Sequence, residues 1–411
     1  MELIQCTDQC LEELSRQGDE EADQVAVKYL QDRKVEPAHL FRAAAATHYL
    51  PPEAQDADLA AYLNKPAPLP TWACRTKLAA GCQFFADWTP EIGLGLLCFS
   101  LPAGYAAASF AQVLHVTGRL ESDAQRRVFE SARMVEDVTA PGGIEPGGPG
   151  HRTLRRVRLM HAAVRQLMLH DKRVVRGCSA RPEENFWPDD WGVPISQEQL
   201  LGGVLAFGWS MLSVLDRLGV SYDERGAEGY LHLWDVVAYY LGVRPDLLPI
   251  GRSCAEALDP LFRARNFAPS TAGHSMTAAL IDVLDRMGPG IVLRGLPVSL
   301  MRLLLGDEVA RIAGVPPADW TIYLVRDLRP LLGRLSLETL HHRSLGELVR
   351  RTFGPLMRRI VDDELHDRTP TFEPPTHLAE PAIAAQDDRD VVIDLTEKAS
   401  HPAPTSTDQS G

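Results

Sequence analysis

The sequence predicts a mainly α-helical protein, a multi-helix globular bundle with few or no strands. Apolar residues recur at helical spacing along most of the chain, and no stretch sustains the period-two alternation of a half-buried strand. The chain has 411 residues, of which 45% are hydrophobic and 24% charged, so it can bury a large core. We expect helices of about 12 to 20 residues stacked around a central pocket.

Residues 1–70 are predicted to form an N-terminal helical wrap of short helices. Segment 12–27 is amphipathic, segment 35–49 is rich in alanine, and a helix over 56–63 follows a Pro-Pro break. The KPAPLP run at 65–70 predicts an extended connector to the rest of the chain.

Residues 71–366 are predicted to form the main domain. After a helix over 72–88, segment 92–114 has no charged residue over 23 positions, which is long enough to cross a bilayer. Pro102 predicts a break within this segment, and its many small and polar residues favour burial in the protein over membrane association.

The later helices of the main domain have clear end signals. Ser196 and Gln199 have the spacing of a capping box, and Gly219 closes the apolar stretch that follows. Helices are predicted, in order, over 122–138, 152–170, 196–218, 230–241, 299–313, 319–332 and 344–365. Residues 367–411 are rich in Pro, Thr, Asp and Ala and are predicted to be a disordered acidic tail.

Composition and missing motifs exclude several classes of function. A net charge of -13 and a pI near 5.5 argue against nucleic acid as a partner. The seven scattered cysteines and an acidic N-terminus without a signal peptide predict reduced thiols and a cytoplasmic location. The signatures of dinucleotide enzymes, nucleotide-binding loops, serine hydrolases and HExxH zinc proteases are absent from the sequence.

The stretch HRTLRRVRLMHAAVRQLMLHD at 151–171 places a histidine at the centre of a basic helix. Residues three and four apart share a helix face, so Arg158, His161 and Arg165 lie together among apolar neighbours. A neutral imidazole can ligate haem iron, and guanidinium groups beside it can pair with haem propionates. A structural histidine is the commoner case on such a helix, so spacing alone leaves both interpretations open.

His232 is the main competitor for the role of a metal ligand. It lies in the aromatic-rich stretch YLHLWDVVAYYL, where its helix face offers Asp235 and Val236 but no pair of cations. We therefore interpret His232 as a core or hydrogen-bonding residue.

The string RLMHAAVR around His161, with Arg127, Glu130 and Ser131 upstream, resembles the haem-dependent oxygenase family of rubber oxygenases and fungal MpaB-type oxygenases. The later string MRLLLGDEVARIAGVP resembles the C-terminal signature of that family. The resemblance spans about residues 72–365.

This resemblance implies a helical bundle around a buried haem b pocket, with His161 as the iron ligand. Arg158, Arg165 and Arg302 are the cations that it implies for binding the cofactor. The activity implied is a haem-dependent oxygenase that acts with O2 on a small apolar substrate, isoprenoid or lipid-like.

The resemblance also implies that Arg127, Glu130 and Ser131 are catalytic residues on the opposite side of the haem. Ser131 replaces the threonine of the family pattern and keeps its hydroxyl, whereas Glu130 stands where rubber-cleaving members have a lysine that can reach the iron. Where those members have a general-base glutamate further upstream, this chain has Ala111 and Gln112. Glu130 is then either a proton acceptor or the neighbour of an open or water-bound site.

Two other classes of function remain open at the level of the sequence. A haem-binding protein that responds to oxygen or redox state without turnover would keep His161 and Arg165, and the changes at Ser131 and Gln112 favour it slightly. A haem-free helical scaffold would share only the architecture of the family. Cofactor content distinguishes the scaffold, and oxygen-dependent turnover distinguishes the oxygenase.

Overall fold

The computed structural model describes residues 7–32, 57–65, 67–116, 120–170, 187–287 and 294–327. Within these ranges the regular structure is helical, and the only β-type pairing is an isolated antiparallel bridge between Ala107 and Phe267. The prediction of a mainly α fold with few or no strands is confirmed. The helices expected over 35–49 and 344–365 and the expected tail lie outside the described residues, and the division into three domains stays a prediction.

Helices of the described N-terminal half are short until the chain reaches the predicted site. In order they are α1 (Asp8–Ser15), α2 (Glu20–Val27), α3 (Ala57–Leu63), α4 (Arg75–Asp87), α5 (Thr89–Gly95), α6 (Leu101–Ala106), α7 (Ala108–Val116), α8 (Leu120–Thr139) and α9 (Pro149–His170). Two π-helical turns, Lys28–Asp32 and Leu96–Ser100, extend α2 and join α5 to α6.

Helices of the described C-terminal half begin after residue 187. They are α10 (Gln197–Phe207), α11 (Trp209–Leu218), α12 (Glu224–Tyr240), α13 (Gly251–Asn266), α14 (Thr271–Met287), α15 (Leu296–Leu305) and α16 (Asp307–Ile312). The capping box predicted at the start of α10 is present, because the Ser196 hydroxyl accepts a hydrogen bond from the Gln199 backbone N–H.

The uncharged segment 92–114 is divided among α5, α6 and α7 rather than forming one long helix. Pro102 does not break the chain as expected, since it occupies the first turn of α6, where a missing N–H removes no helical hydrogen bond. The break lies at Ala107, whose backbone is extended and pairs with Phe267.

One helical stretch of the described residues is long and apolar enough to cross a membrane by length and composition. It is Gln197–Leu218, with a mean hydropathy of 1.3 over its best window, 67% of which is buried inside the protein. Gly208 interrupts it between α10 and α11. Burial of this kind is typical of a pair of core helices.

The main hydrophobic core is built around α12. Tyr230, Leu233 and Trp234 are at most 2% exposed, and Val236 and Val237 are fully buried. The helix packs closely against α4 because Gly81 and Gly229 face each other at the crossing, where a Cβ on Gly229 would lie 2.7 Å from the Gly81 nitrogen.

A second hydrophobic cluster joins the N-terminal helices to α9. Ala22 and Ala26 of α2 pack with Leu159, Ala162 and Ala163 of α9, all fully buried. The described part of the predicted N-terminal wrap therefore lies directly against the helix that carries His161.

Gly229→Ala is predicted to lower the free energy of unfolding by about 1–3 kcal/mol, because its methyl group would meet backbone atoms that cannot move aside. Gly203→Ala is the matched control, since a Cβ there has no neighbour within 4 Å and alanine favours a helix interior by about 0.5–1 kcal/mol. Urea unfolding followed by circular dichroism measures both variants. Equal midpoints for the two would contradict the tight crossing.

Candidate active site around His161

His161 occupies the middle of α9, a helix that begins after a loop of glycines. Gly142 and Gly147 adopt positive φ angles of 74° and 79°, which turn the chain back from α8 into α9. Gly150 then lies so close to α8 that a Cβ would approach the Asp137 carbonyl oxygen to 2.7 Å. The Thr153 hydroxyl also donates a hydrogen bond of 2.7 Å to the Asp137 carboxylate. These contacts fix the helix of His161 against α8.

The imidazole of His161 has one nitrogen without a partner. Its Nδ1 is buried and has no hydrogen-bond partner among the described residues, while the residue as a whole is partly accessible. A histidine that ligates a metal commonly donates its other ring N–H to a backbone carbonyl or carboxylate that fixes the tautomer, and the described residues provide no such acceptor for Nδ1. Leaving a buried polar atom unpaired costs about 1–3 kcal/mol, so the position favours a ligand that completes it.

The pKa of His161 is lowered from 6.5 to about 4. Burial is the largest cause, the nearby Arg165 cation adds to it, and Asp19 opposes it. The ring is therefore neutral at ordinary pH, which is the state that ligates a metal. Among the described residues no group of three or more His, Cys, Asp or Glu side chains could hold a metal ion. A single neutral imidazole fits a metal that brings its other ligands with it, as haem iron does.

Arg158 and Arg165 flank His161 as predicted, and both are paired with carboxylates of α2. Arg158 donates to Asp19 through Nε and Nη2, the latter at 2.7 Å, and Arg165 donates to Asp23. Arg165 also donates to the carbonyl oxygens of Pro194 and Ile195, at 2.8 and 2.6 Å. Their role as partners of haem propionates stays a prediction, and a propionate would have to share or replace these acceptors.

Arg302 lies in the last turn of α15, and its hydrogen-bond partners differ from those of Arg158 and Arg165. Its guanidinium donates to the carbonyl oxygens of Val315 and Pro316 and forms a 3.0 Å ion pair with Asp307. These bonds connect α15 to the segment after α16. The contact with haem predicted for Arg302 stays a prediction.

Arg127, Glu130 and Ser131 lie on α8, which packs against α9. Burial lowers the pKa of Arg127, and the nearby Glu130 and Tyr105 oppose that shift. Arg127 and Glu130 are partly buried, whereas Ser131 is exposed. The structure thus brings Arg127 and Glu130 together, and the catalytic roles of all three residues stay predictions.

Tyr105 is a residue that the sequence did not single out. It belongs to α6, is 4% exposed, and has a pKa raised by burial against the opposing effect of the Arg127 cation. Its only signal in the sequence is a phenol within an otherwise apolar segment. The structure adds this hydroxyl to the surroundings of Arg127.

His232 has a structural role, as the sequence predicted. Its Nε2 accepts a hydrogen bond of 2.9 Å from the Cys74 backbone N–H, and its ring meets Trp72 edge-on at 5.6 Å. Burial lowers the pKa of this imidazole, with a smaller contribution from Lys77. A nitrogen engaged in this way is not free to ligate a metal.

The sequence matches a known family over the residues that carry the site. The model of the catalytic domain of the ER-bound oxygenase mpaB/B' and rubber oxygenase family matches residues 91–336. The chain belongs to this family. Membership confirms the resemblance and supports an oxygenase, whose partners are O2 and an oxidisable substrate.

Two relatives show how similar this chain is to known members of the family in sequence and in fold. The chain is 26% identical over 330 residues to the rubber oxygenase of Streptomyces sp. (strain K30), covering 76% of this chain and 74% of that protein. It also resembles the structure of Latex Clearing Protein LCP in the closed state, with a TM-score of 0.62 and 22% identity, covering 78% of this chain and 84% of that chain. The structural likeness concerns the fold.

Replacing His161 with glutamine is predicted to flatten the pH dependence of stability of the haem-free protein. Because the folded pKa of about 4 lies below the ordinary 6.5, the unfolded chain takes up the proton first as the pH falls. The stability that the neutral ring contributes is complete above pH 6.5 and is lost between pH 6.5 and 4, by about 3 kcal/mol in total.

Urea unfolding at a series of pH values measures this effect. His170→Gln, an exposed ring on the same helix, controls for the loss of a histidine elsewhere on α9. Identical pH profiles for wild type and His161→Gln would refute a buried neutral imidazole.

Proposed function

We propose that the protein is a haem b-dependent oxygenase that binds iron through His161 and oxidises a small apolar substrate with O2. The observation that carries this proposal is the buried, unpartnered Nδ1 of a neutral imidazole, set on the helix that resembles the haem-binding helix of the family. A histidine that ligates iron needs a neutral ring with a nitrogen that no hydrogen bond occupies.

Haem bound here would supply the iron at which O2 is activated. The chain's own groups have separate tasks in this proposal. Arg127 would donate hydrogen bonds to O2, the Ser131 hydroxyl would add a second donor, and Glu130, beside Arg127, would accept a proton. Arg158, Arg165 and Arg302 remain the proposed cations for the propionates.

The apolar segments of the core support the proposed substrate class. Segments α5 to α7 and α10 to α11 contribute mainly aliphatic and aromatic side chains to the core, of which Phe99, Ala106 and Ala111 are at most 1% exposed. Such surfaces favour an isoprenoid or lipid-like molecule over a charged one. The cytoplasmic location is part of the proposal, with nucleic acid absent from its partners.

A haem protein that senses oxygen or redox state without turnover is the second candidate. The fully buried Ala111 supports it, because it provides no base where the rubber-cleaving members are expected to have one. Oxygen uptake by the haem-loaded protein with a panel of short isoprenoid alkenes distinguishes the two functions. Substrate-dependent uptake supports the oxygenase, and its absence across the panel favours the sensor.

His161→Ala is predicted to abolish the Soret band of protein expressed with a haem precursor, while its far-ultraviolet circular dichroism stays that of the wild type. His232→Gln is the matched control and should keep the band, because His232 is engaged with Cys74. A wild type that carries no haem after reconstitution would disprove the proposed function. A band that survives in His161→Ala would assign the iron to another ligand.

Arg127→Gln is predicted to keep the Soret band and to weaken azide binding to the ferric protein about tenfold or more. A charge-assisted hydrogen bond contributes about 1.5–3 kcal/mol, and azide tests it without knowledge of the substrate. Arg133→Gln, an exposed arginine on the same helix, is the control. Equal azide affinities for the two variants would remove Arg127 from the site.

A further inference from the structure

Carboxylates of α2 meet the arginines of α9 on both sides of His161. Asp19 pairs with Arg158, whose Nη1 also lies 3.1 Å from Glu21. Asp23 pairs with Arg165. The two helices are 139 residues apart in sequence at the Asp19–Arg158 contact.

These ion pairs are removed from solvent. The side chains of Arg158 and Asp19 are 14% and 5% exposed, and those of Arg165 and Asp23 are 2% and 19% exposed. Gly242, at the end of α12, closes over the first pair, since a Cβ there would lie 2.7 Å from Arg158 Nε. An unpaired charge is costly in such surroundings, because little water is available to screen it.

Hydrogen bonds from Gln197 of α10 also fix the backbone next to these carboxylates. The Gln197 side chain donates 2.9 Å hydrogen bonds to the carbonyl oxygens of both Gly18 and Gly242. Asp19 also caps α2 by accepting from the Ala22 backbone N–H. The N-terminal segment is therefore anchored to α10 and α12 at the same point where it meets α9.

We propose that Asp19 and Asp23 are positioning residues for His161, so that α2, which lies outside the matched residues 91–336, forms part of the site. They hold Arg158 and Arg165 on either side of the imidazole and cancel the charge of both. This inference rests on the proposed haem ligation by His161.

A different role for these arginines predicts the opposite effect of the carboxylates on haem binding. As positioning residues, Asp19 and Asp23 stay paired with Arg158 and Arg165 while these arginines also bind the propionates. If the arginines must instead leave α2 to bind the propionates, Asp19 competes with the cofactor. Removing the Asp19 charge would then slow the loss of haem. If Asp19 is a positioning residue, the same change cannot tighten the binding of haem.

The test is a double-mutant cycle that neutralises Asp19, Arg158 or both. Asp19→Asn keeps the helix cap, because asparagine caps as well as aspartate, and leaves Arg158 paired only with Glu21, whose side chain is 37% exposed and offsets the cation less completely. Arg158→Gln leaves the Asp19 charge uncompensated instead. The midpoint potential of the ferric/ferrous couple is measured for both variants and for the double variant.

We expect shifts of opposite sign in the two single variants. An unbalanced cation near the iron favours the ferrous state, and an unbalanced anion favours the ferric state. Each single change should alter the ferrous-to-ferric ratio at a fixed potential about tenfold, which is about 59 mV for a one-electron couple. The double variant should return to the wild-type potential. A purely structural role would shift both single variants in the same direction or in neither.

Further variants and a second readout complete the experiment. Asp8→Asn, which removes an N-terminal carboxylate whose partner Arg265 lies on α13, should leave the potential unchanged. Should Asp19→Asn fail to fold, Asp23→Asn makes the same measurement at the second pair, where a positive shift is expected. The rate of haem transfer to apomyoglobin should be equal to or faster than that of the wild type in either variant.

Three results would overturn the inference in distinguishable ways. Slower haem transfer from Asp19→Asn would show competition between the carboxylate and the propionates. Haem-loaded variants with the wild-type potential would remove α2 from the site and leave the proposed function intact. A wild type without haem would refute the proposed function, and this inference with it.

Discussion

The buried imidazole of His161 is the group on which the arrangement around it depends. Burial and the Arg165 cation keep the ring neutral, with a pKa of about 4, and its Nδ1 has no hydrogen-bond partner in the described part of the chain. Such an atom has lost its hydrogen bond to water without a replacement. His151 Nε2 on the same helix is in the same condition, so the resemblance of the surrounding residues to the family is what distinguishes His161. Coordination of a metal satisfies this nitrogen without protonating it. The family to which the chain belongs supports an oxygenase, and the proposal of haem rests on this imidazole together with the resemblance of its helix to the family.

Charge around this imidazole is balanced by a helix distant in the sequence. Buried ion pairs contribute little net stability on average, since the desolvation of both ions offsets their attraction. The ion pairs matter because of what the loss of one partner would cause. An arginine without its carboxylate would place an uncompensated positive charge beside the neutral histidine. The apolar contacts of Ala22 and Ala26 with α9 keep α2 in place, so the hydrophobic cluster and the ion pairs support each other.

The residues proposed for the opposite side of the haem differ from those that the sequence resemblance implies for rubber-cleaving members. A carboxylate at Glu130 beside Arg127 forms a pair of opposite charges, whereas a lysine in that place would add a second cation. Tyr105 contributes a phenol held in its protonated form by burial. These differences are compatible with an oxygenase that acts on another apolar substrate than rubber.

The sequence by itself determined the helical class, the family and the central histidine, because helical periodicity and short motifs are local properties. It also assigned His232 to a structural role, which the bond to Cys74 confirms. Only the tertiary structure decided that Arg158 and Arg165 pair with Asp19 and Asp23. Chain segments so far apart carry no mutual signal in one sequence. The break at Ala107 instead of Pro102 was likewise decided by packing, since an extended residue there gains its partner from Phe267 on a distant helix.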